Sequence, residues 1–152
     1  GDFQIKRIGS SAVEAKFAIM KGWVDDTKEI NAWCAVNSTC SADVPQEAFG
    51  FLLEAGLHLP EALGWNTTHD FIPYVSYELV RPNDETGEGV TASKVSGKAN
   101  FQNLTMGVSY KPIDRVAVKL DWQQFFYDQS NITTDSTDTT KNLVNLGLAY
   151  QY

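Results

Sequence analysis

In the C-terminal stretch KNLVNLGLAYQY, Val144, Leu146, Leu148, Tyr150 and Tyr152 fall on one parity, and Asn145, Gly147, Ala149 and Gln151 on the other. A repeat of two with one apolar and one polar or small side marks a β-strand with unlike faces. The pattern recurs upstream. In VAVKLDWQQFFY, Val116, Val118, Leu120, Trp122 and Phe126 share a side, interrupted by Gln124, opposite Ala117, Lys119, Asp121 and Gln123. NFQNLTMGVSYK sets Leu104, Met106, Val108 and Tyr110 against Asn103, Thr105, Gly107 and Ser109. DFIPYVSYELVR sets Phe71, Pro73, Val75, Tyr77 and Leu79 against Ile72, Tyr74, Ser76 and Glu78, although Pro73 lacks a ladder donor.

Nearer the N-terminus, SSAVEAKFAIMKGWV sets Val13, Ala15, Phe17 and Ile19 against Glu14, Lys16 and Met20, and DFQIKRI offers a short first strand with Phe3 and Ile5 together. EAFGFLLEAGLHL is mixed: its Ala, Leu and Glu favour helix. Its residues Phe49, Phe51, Leu53, Ala55, Leu57 and Leu59 nevertheless keep the period of two, and Gly50 and Gly56 weaken a helix, so a strand is predicted.

Seven strands follow, most of them 11 to 13 residues long. Strands of globular proteins run to about 5–6 residues, whereas a strand that crosses a bilayer needs about 9–11. The connectors alternate as well. Residues 9–11, 60–68 and 111–115 are short, and residues 25–46, 82–98 and 128–141 are long, polar and rich in Asp, Glu, Ser and Thr. Short turns at one rim and long loops at the other characterise membrane barrels. The predicted fold is therefore all-β, an antiparallel transmembrane β-barrel with short periplasmic turns and long extracellular loops. Within the first long loop, DDTKEINAWCAV predicts a short helix with Asp26 and Glu29 at capping-box spacing.

Composition narrows the function classes. The chain has 152 residues, 43% of them hydrophobic and 20% charged, with a net charge of −7. That composition is not a disordered polymer, and an acidic surface makes nucleic acid an unexpected partner. No window approaches 18 uncharged apolar residues, which excludes a membrane-spanning helix but not a barrel. There is no glycine-rich phosphate loop, HExxH or paired CxxC, and no enzyme activity, cofactor or metal site is expected. His58 and His69 are the only histidines; Glu54 and His58 share a strand side but are too far apart for a dyad. Cys34 and Cys40, in CAVNSTC, are expected to close a small loop disulfide in an oxidising compartment.

The charges fall on the polar parity. Lys6, Glu14, Lys16, Glu54, His58, Glu78, Lys119 and Asp121 point away from the apolar side. A cationic side chain facing the bilayer midplane costs about 2–4 kcal/mol, so these residues are expected to line an aqueous pore. The same set also suits a narrow interior filled by salt-bridged pairs. Acids crowd the long loops: Asp25, Asp26, Glu29 and Asp43; Asp84, Glu85 and Glu88; Asp128, Asp135 and Asp138. They either draw cations toward the mouth, bind divalent ions between lipopolysaccharides, or are simply solvated. Trp65, Phe71, Tyr110, Tyr150 and Tyr152 gather at the short-turn ends, and Trp23, Phe49, Phe101, Phe126 and Tyr127 at the long-loop ends. Two such groups are expected to form interfacial belts.

The terminal VNLGLAYQY resembles the closing strand of Gram-negative outer-membrane porins, with Tyr152 where Phe is commoner. KPIDRVAVKLDWQQ is similar to a porin's penultimate strand after its periplasmic turn, and FLLEAGLHL with FIPYVSYELVR resembles a paired hairpin of the same family. The resemblance implies an outer-membrane channel for small hydrophilic solutes or ions, often trimeric, embedded among lipid and lipopolysaccharide. It also implies that Val144, Leu146, Leu148, Tyr150 and Tyr152 form a signal read by the barrel-assembly machinery. With a periplasmic C-terminus, an odd strand count places Gly1 outside the cell, so residues 1–152 are expected to be one β-barrel segment, the C-terminal part of a longer barrel. Two other readings remain: a small eight-stranded barrel with an adhesive or structural role and no open pore, and a soluble ligand-binding β-barrel with its apolar side turned inward.

Overall fold

The computed structural model describes residues 2–5, 12–37, 44–85, 100–128 and 139–150. Lys6, Cys40 and Tyr152, and the loop acids Asp43, Glu88, Asp135 and Asp138, lie outside the described residues. The chain forms β1 (Asp2–Ile5), β2 (Val13–Trp23), α1 (Thr27–Asn37), β3 (Glu47–Leu57), α2 (Leu59–Leu63), β4 (Asp70–Glu85), β5 (Phe101–Ile113), β6 (Val116–Tyr127) and β7 (Thr140–Tyr150). The strands make one antiparallel sheet in chain order, six long strands with the four-residue β1 at one edge. Among the described residues the sheet is open, with β1 and β7 as its two edges.

EAFGFLLEAGL is strand, as its period of two predicts, but the run stops at Leu57 and not at Leu59. His58 is the N-cap of α2 and Pro60 sits in its first turn. Proline is favoured there because its missing N–H has no partner to lose and its φ is already helical. A left-handed Gly64 (φ 66°) closes the helix, so one short connector contains a helical turn. Pro73 is tolerated within β4 because β3 pairing begins only at Tyr74, opposite Gly56, one residue after it. β5 and β6 run further than the alternation suggested, leaving only Asp114 and Arg115 between them, and β4 likewise extends through Glu85 into the stretch expected to be loop.

Helix α1 forms where predicted, with a different start. Asp26 has φ 58°, in the left-handed region and not in the extended conformation of an N-cap side chain. Its carbonyl, not its carboxylate, accepts the N–H groups of Glu29 (3.0 Å) and Ile30 (3.1 Å). One side of the helix, with Thr27, Asn31 and Cys34, is buried. The Asn31 carboxamide clamps Val44, accepting its N–H at 2.9 Å and donating to its carbonyl at 3.2 Å. Cys34 is disulfide-bonded.

The register carries each parity class across every seam. Phe17, Leu53 and Tyr77 are successive partners, as are Val75, Met106, Trp122 and Val144. The predominantly apolar parity of β2 to β7 therefore makes one face and the predominantly polar parity the other, with exceptions such as Leu52 and Val80 on the polar face and Lys21 and Arg81 on the apolar one. The two faces are buried in the opposite sense to a soluble domain. On the apolar face Leu53 is 50% exposed, Leu120 55% and Leu146 78%. On the polar face Ser76, Asn103, Thr105 and Ser109 are all buried, and among the described residues the buried apolar side chains are only Cys34, Ile72 and Pro60. A single-layer sheet buries one face without a second layer only by curving toward it, so the polar face is the concave one.

Candidate functional site

The concave face brings the sequence-predicted charges together. Glu14, Lys16, Glu54, Glu78, Lys119 and Asp121 all lie on it, in register across β2, β3, β4 and β6. Lys16 and Glu54 are cross-strand partners, and the ammonium donates to Glu54 Oε1 at 2.5 Å. Opposite charges directly across a strand pair hold each other's orientation.

Next to this pair runs one transverse row: Glu14, Gly56, Tyr74, Gly107, Asp121 and Asn145 are consecutive register partners from β2 to β7. The Tyr74 side chain crosses Gly107 and its hydroxyl donates to Asp121 Oδ2 at 3.1 Å. Asn145 donates to Asp121 Oδ1 at 2.9 Å, and Lys119 Nζ stands 5.2 Å from the Tyr74 ring centre. Both Asp121 oxygens are thus satisfied, and a cation sits over the ring face where the quadrupole attracts it. Gly107 makes the crossing possible: a Cβ there would lie 2.8 Å from the Tyr74 ring and 2.7 Å from Asp121 Cβ.

His58 departs from the expected lumen-facing strand position. It is buried at the short-turn rim, its backbone N–H bonded to Ala12 O at 2.7 Å. Its Nδ1–H donates to Asp70 Oδ2 at 2.6 Å, and Nε2 stands 3.7 Å from Glu14 Oε2. The imidazole ties the start of α2 to β2 and β4. Its sequence signal was present but indirect: Pro60 two residues on marks the helix start, and Asp70 becomes a partner only once the turn doubles back. Replacing His58 with Ala should lower stability in detergent by about 1–3 kcal/mol, the scale for leaving buried polar partners unsatisfied. A urea titration, with faster proteolytic cleavage between residues 59 and 69, would register it; unchanged values would make the cluster ornamental.

The aromatic groups divide differently from the expected belts. Phe71 and Tyr110 stack at 4.6 Å on the apolar face near the short turns, and His69 accepts or donates one hydrogen bond with the Tyr110 hydroxyl at 3.0 Å. Trp23, Phe49 and Phe126 also have the outward parity. Phe101 and Tyr127 do not: their register partners place them on the concave face with Phe125. The sequence could have shown this, since Phe101 has the parity of Asn103 and Thr105, and adjacent Phe126 and Tyr127 cannot share a face.

Lys21 and Arg81 carry outward parity at the long-loop end of the sheet, and Lys21 pairs with Glu47 at 2.7 Å. They bound the apolar band on that side. Among the described residues no three His, Cys, Asp or Glu side chains are grouped to hold a metal, and no helix is long and apolar enough to cross a membrane. Comparison with protein-family models, curated proteins and solved structures finds no match.

Proposed function

We propose that this chain is part of an outer-membrane channel of the porin type, through which small hydrophilic solutes or ions diffuse passively. The observation that carries the reading is the inversion of the two faces: exposed Leu, Val, Phe and Met on one side, buried Ser, Thr and Asn on the other. In water each exposed large apolar side chain forgoes about 1.5–3 kcal/mol of burial, and a continuous face of them marks a membrane or partner surface. The band has a fitting height. Val116 to Phe126 spans about 33 Å at 3.3 Å per residue, which at a barrel tilt of about 40° covers about 25 Å of bilayer.

On this reading the apolar face meets lipid and the concave face bounds an aqueous lumen lined by Glu14, Lys16, Glu54, Glu78, Lys119 and Asp121. The sheet is closed into a barrel within an outer membrane, beside lipopolysaccharide, with a trimer as the assembly the porin resemblance suggests. The protein is a conduit and performs no covalent chemistry. The test is conductance across a planar lipid bilayer: discrete, voltage-tolerant current steps support the channel. Folded insertion without current would favour the second reading, a barrel whose interior is filled by ties such as Tyr74–Asp121–Asn145.

The terminal strand adds a separate expectation. Val144, Leu146, Leu148 and Tyr150 share the outward face of β7, and Tyr152 continues their parity in the sequence. Tyr152→Ser should reduce the folded protein in the outer membrane several-fold while the inserted molecules conduct normally. Quantitative immunoblotting of membrane fractions measures the first and single-channel recording the second. Wild-type abundance would refute a terminal assembly signal.

A further inference from the structure

The concave face is not uniform along its length. At mid-strand and toward the short turns it carries the ion pair, the tyrosine tie and the buried hydroxyls. Toward the long loops it turns apolar, around a groove of about 630 Å³. Nine of its thirteen lining residues have concave-face parity, among them Ala18, Met20, Gly50, Leu52, Val80 and Pro82. The volume falls in the range of small-molecule sites, about 300–1,000 Å³.

Glu78 is the only charged residue of the lining. Its register partner is Asn103 and the next residue in that row is Phe125; one row nearer the loops Val80 is followed by Phe101 and Tyr127. The three rings form a cluster, with Phe101 to Phe125 at 5.8 Å, Phe101 to Tyr127 at 6.0 Å and Phe125 stacked on Tyr127 at 6.2 Å. Glu78 therefore stands on the seam between an aliphatic groove and an aromatic cluster. Among the described residues it has no ion-pair partner: Lys16 is held by Glu54, and Lys141, in the same transverse row, stands three strands away beyond Phe125. Beside it, Asn103 is buried and its Oδ1 has no hydrogen-bond partner. A carboxylate and a spare acceptor, flanked by ring faces and aliphatic walls, put negative potential beside apolar surface, with Lys141 only at the far edge of the cluster.

We infer that this mouth-side zone is a binding site for an organic cation with an apolar body, its ammonium group set between Glu78 and the Phe101–Phe125–Tyr127 rings and its hydrocarbon part in the groove. Ring quadrupoles and a carboxylate attract a weakly hydrated ammonium together, and the aliphatic walls select a hydrocarbon body over a sugar. The inference rests on the reading that this face bounds a lumen open to water, and it deepens that reading by naming a solute class the vestibule would concentrate.

Two measurements on the detergent-folded full chain separate the site from the channel. Calorimetric titration with phenyltrimethylammonium should give saturable binding, weaker by about tenfold or more in Glu78→Gln, the loss of one charged contact. Gly22→Leu, at a groove position where a Cβ would meet no atom within 4 Å, should also weaken it by filling the space without touching charge. Tetramethylammonium, which has the charge without the body, should bind less tightly than phenyltrimethylammonium. No saturable binding, or equal affinity in wild type and both folded variants, overturns the site. Bilayer conductance is read separately: binding without current refutes the channel and keeps the site, and current without binding does the reverse.

Discussion

Arginine in place of Leu120 should weaken folding into phospholipid vesicles by about 2–4 kcal/mol, the cost of a cation on the lipid side near the bilayer midplane. Arginine in place of Gln123, on the same strand with the opposite parity, should change it by a small fraction of that. Both positions lie mid-strand in β6, paired with Val108 and Thr105 respectively. Local propensity and strand pairing are therefore matched, and only the medium each side chain meets differs. Urea-driven unfolding of vesicle-inserted protein, followed by tryptophan fluorescence, measures both. Equal penalties would mean that the two faces see the same solvent, which would end the membrane reading. A larger penalty at 123 than at 120 would turn the sheet inside out and favour a soluble barrel with its apolar side inward.

Valine in place of Gly107 should be the most damaging single change on the concave face. A Cβ at this position would stand 2.8 Å from the Leu120 carbonyl oxygen, which is backbone and cannot swing aside, as well as 2.8 Å from the Tyr74 ring. Overpacking of this kind costs about 1–3 kcal/mol, and more where backbone must move. The tyrosine would be expelled from its place over the strand, taking with it the hydrogen bond to Asp121. Gly22→Val, with open space around its Cβ, is the matched control and should fold as wild type. Electrophoretic mobility of unheated samples in dodecyl sulfate distinguishes folded from unfolded barrels, and its loss in Gly107→Val alone is the expected outcome. Retention of the folded band with wild-type urea resistance would mean that the Tyr74 crossing contributes nothing.

The alternation in the sequence was sufficient to find the sheet because its period survives in every strand and because the residues of the two faces differ so sharply in polarity. The run around Phe51 and Leu53 shows the principle working against propensity: Ala, Leu and Glu would favour helix in isolation, yet the pairing of eleven consecutive residues with β2 decides for strand. What alternation cannot convey is contact between residues distant in the chain. Glu14 and Asp70 meet His58 only because β2 and β4 flank the same turn. The Lys16–Glu54 pair needs the register, which the hairpin with its long first loop leaves undetermined in the sequence. At the strand ends, where both faces of the sheet carry aromatic rings, residue type loses its meaning as a side marker. Phe101 and Tyr127 were misplaced there for that reason, although counting parity from Asn103 places them correctly.

The row from Tyr74 through Asp121 to Asn145 runs along the hydrogen-bonding direction of the sheet, at right angles to the strands. In mechanical terms it would be a hoop segment of the proposed barrel. Lateral pressure in a bilayer, or osmotic swelling of the envelope, loads a cylindrical wall around its circumference, and a side-chain strap bridging β4, β6 and β7 shares that tension with the backbone ladder. The strap crosses β5, β6 and β7 at mid-strand, so the stiffening it adds falls at the waist of such a wall and not at either rim.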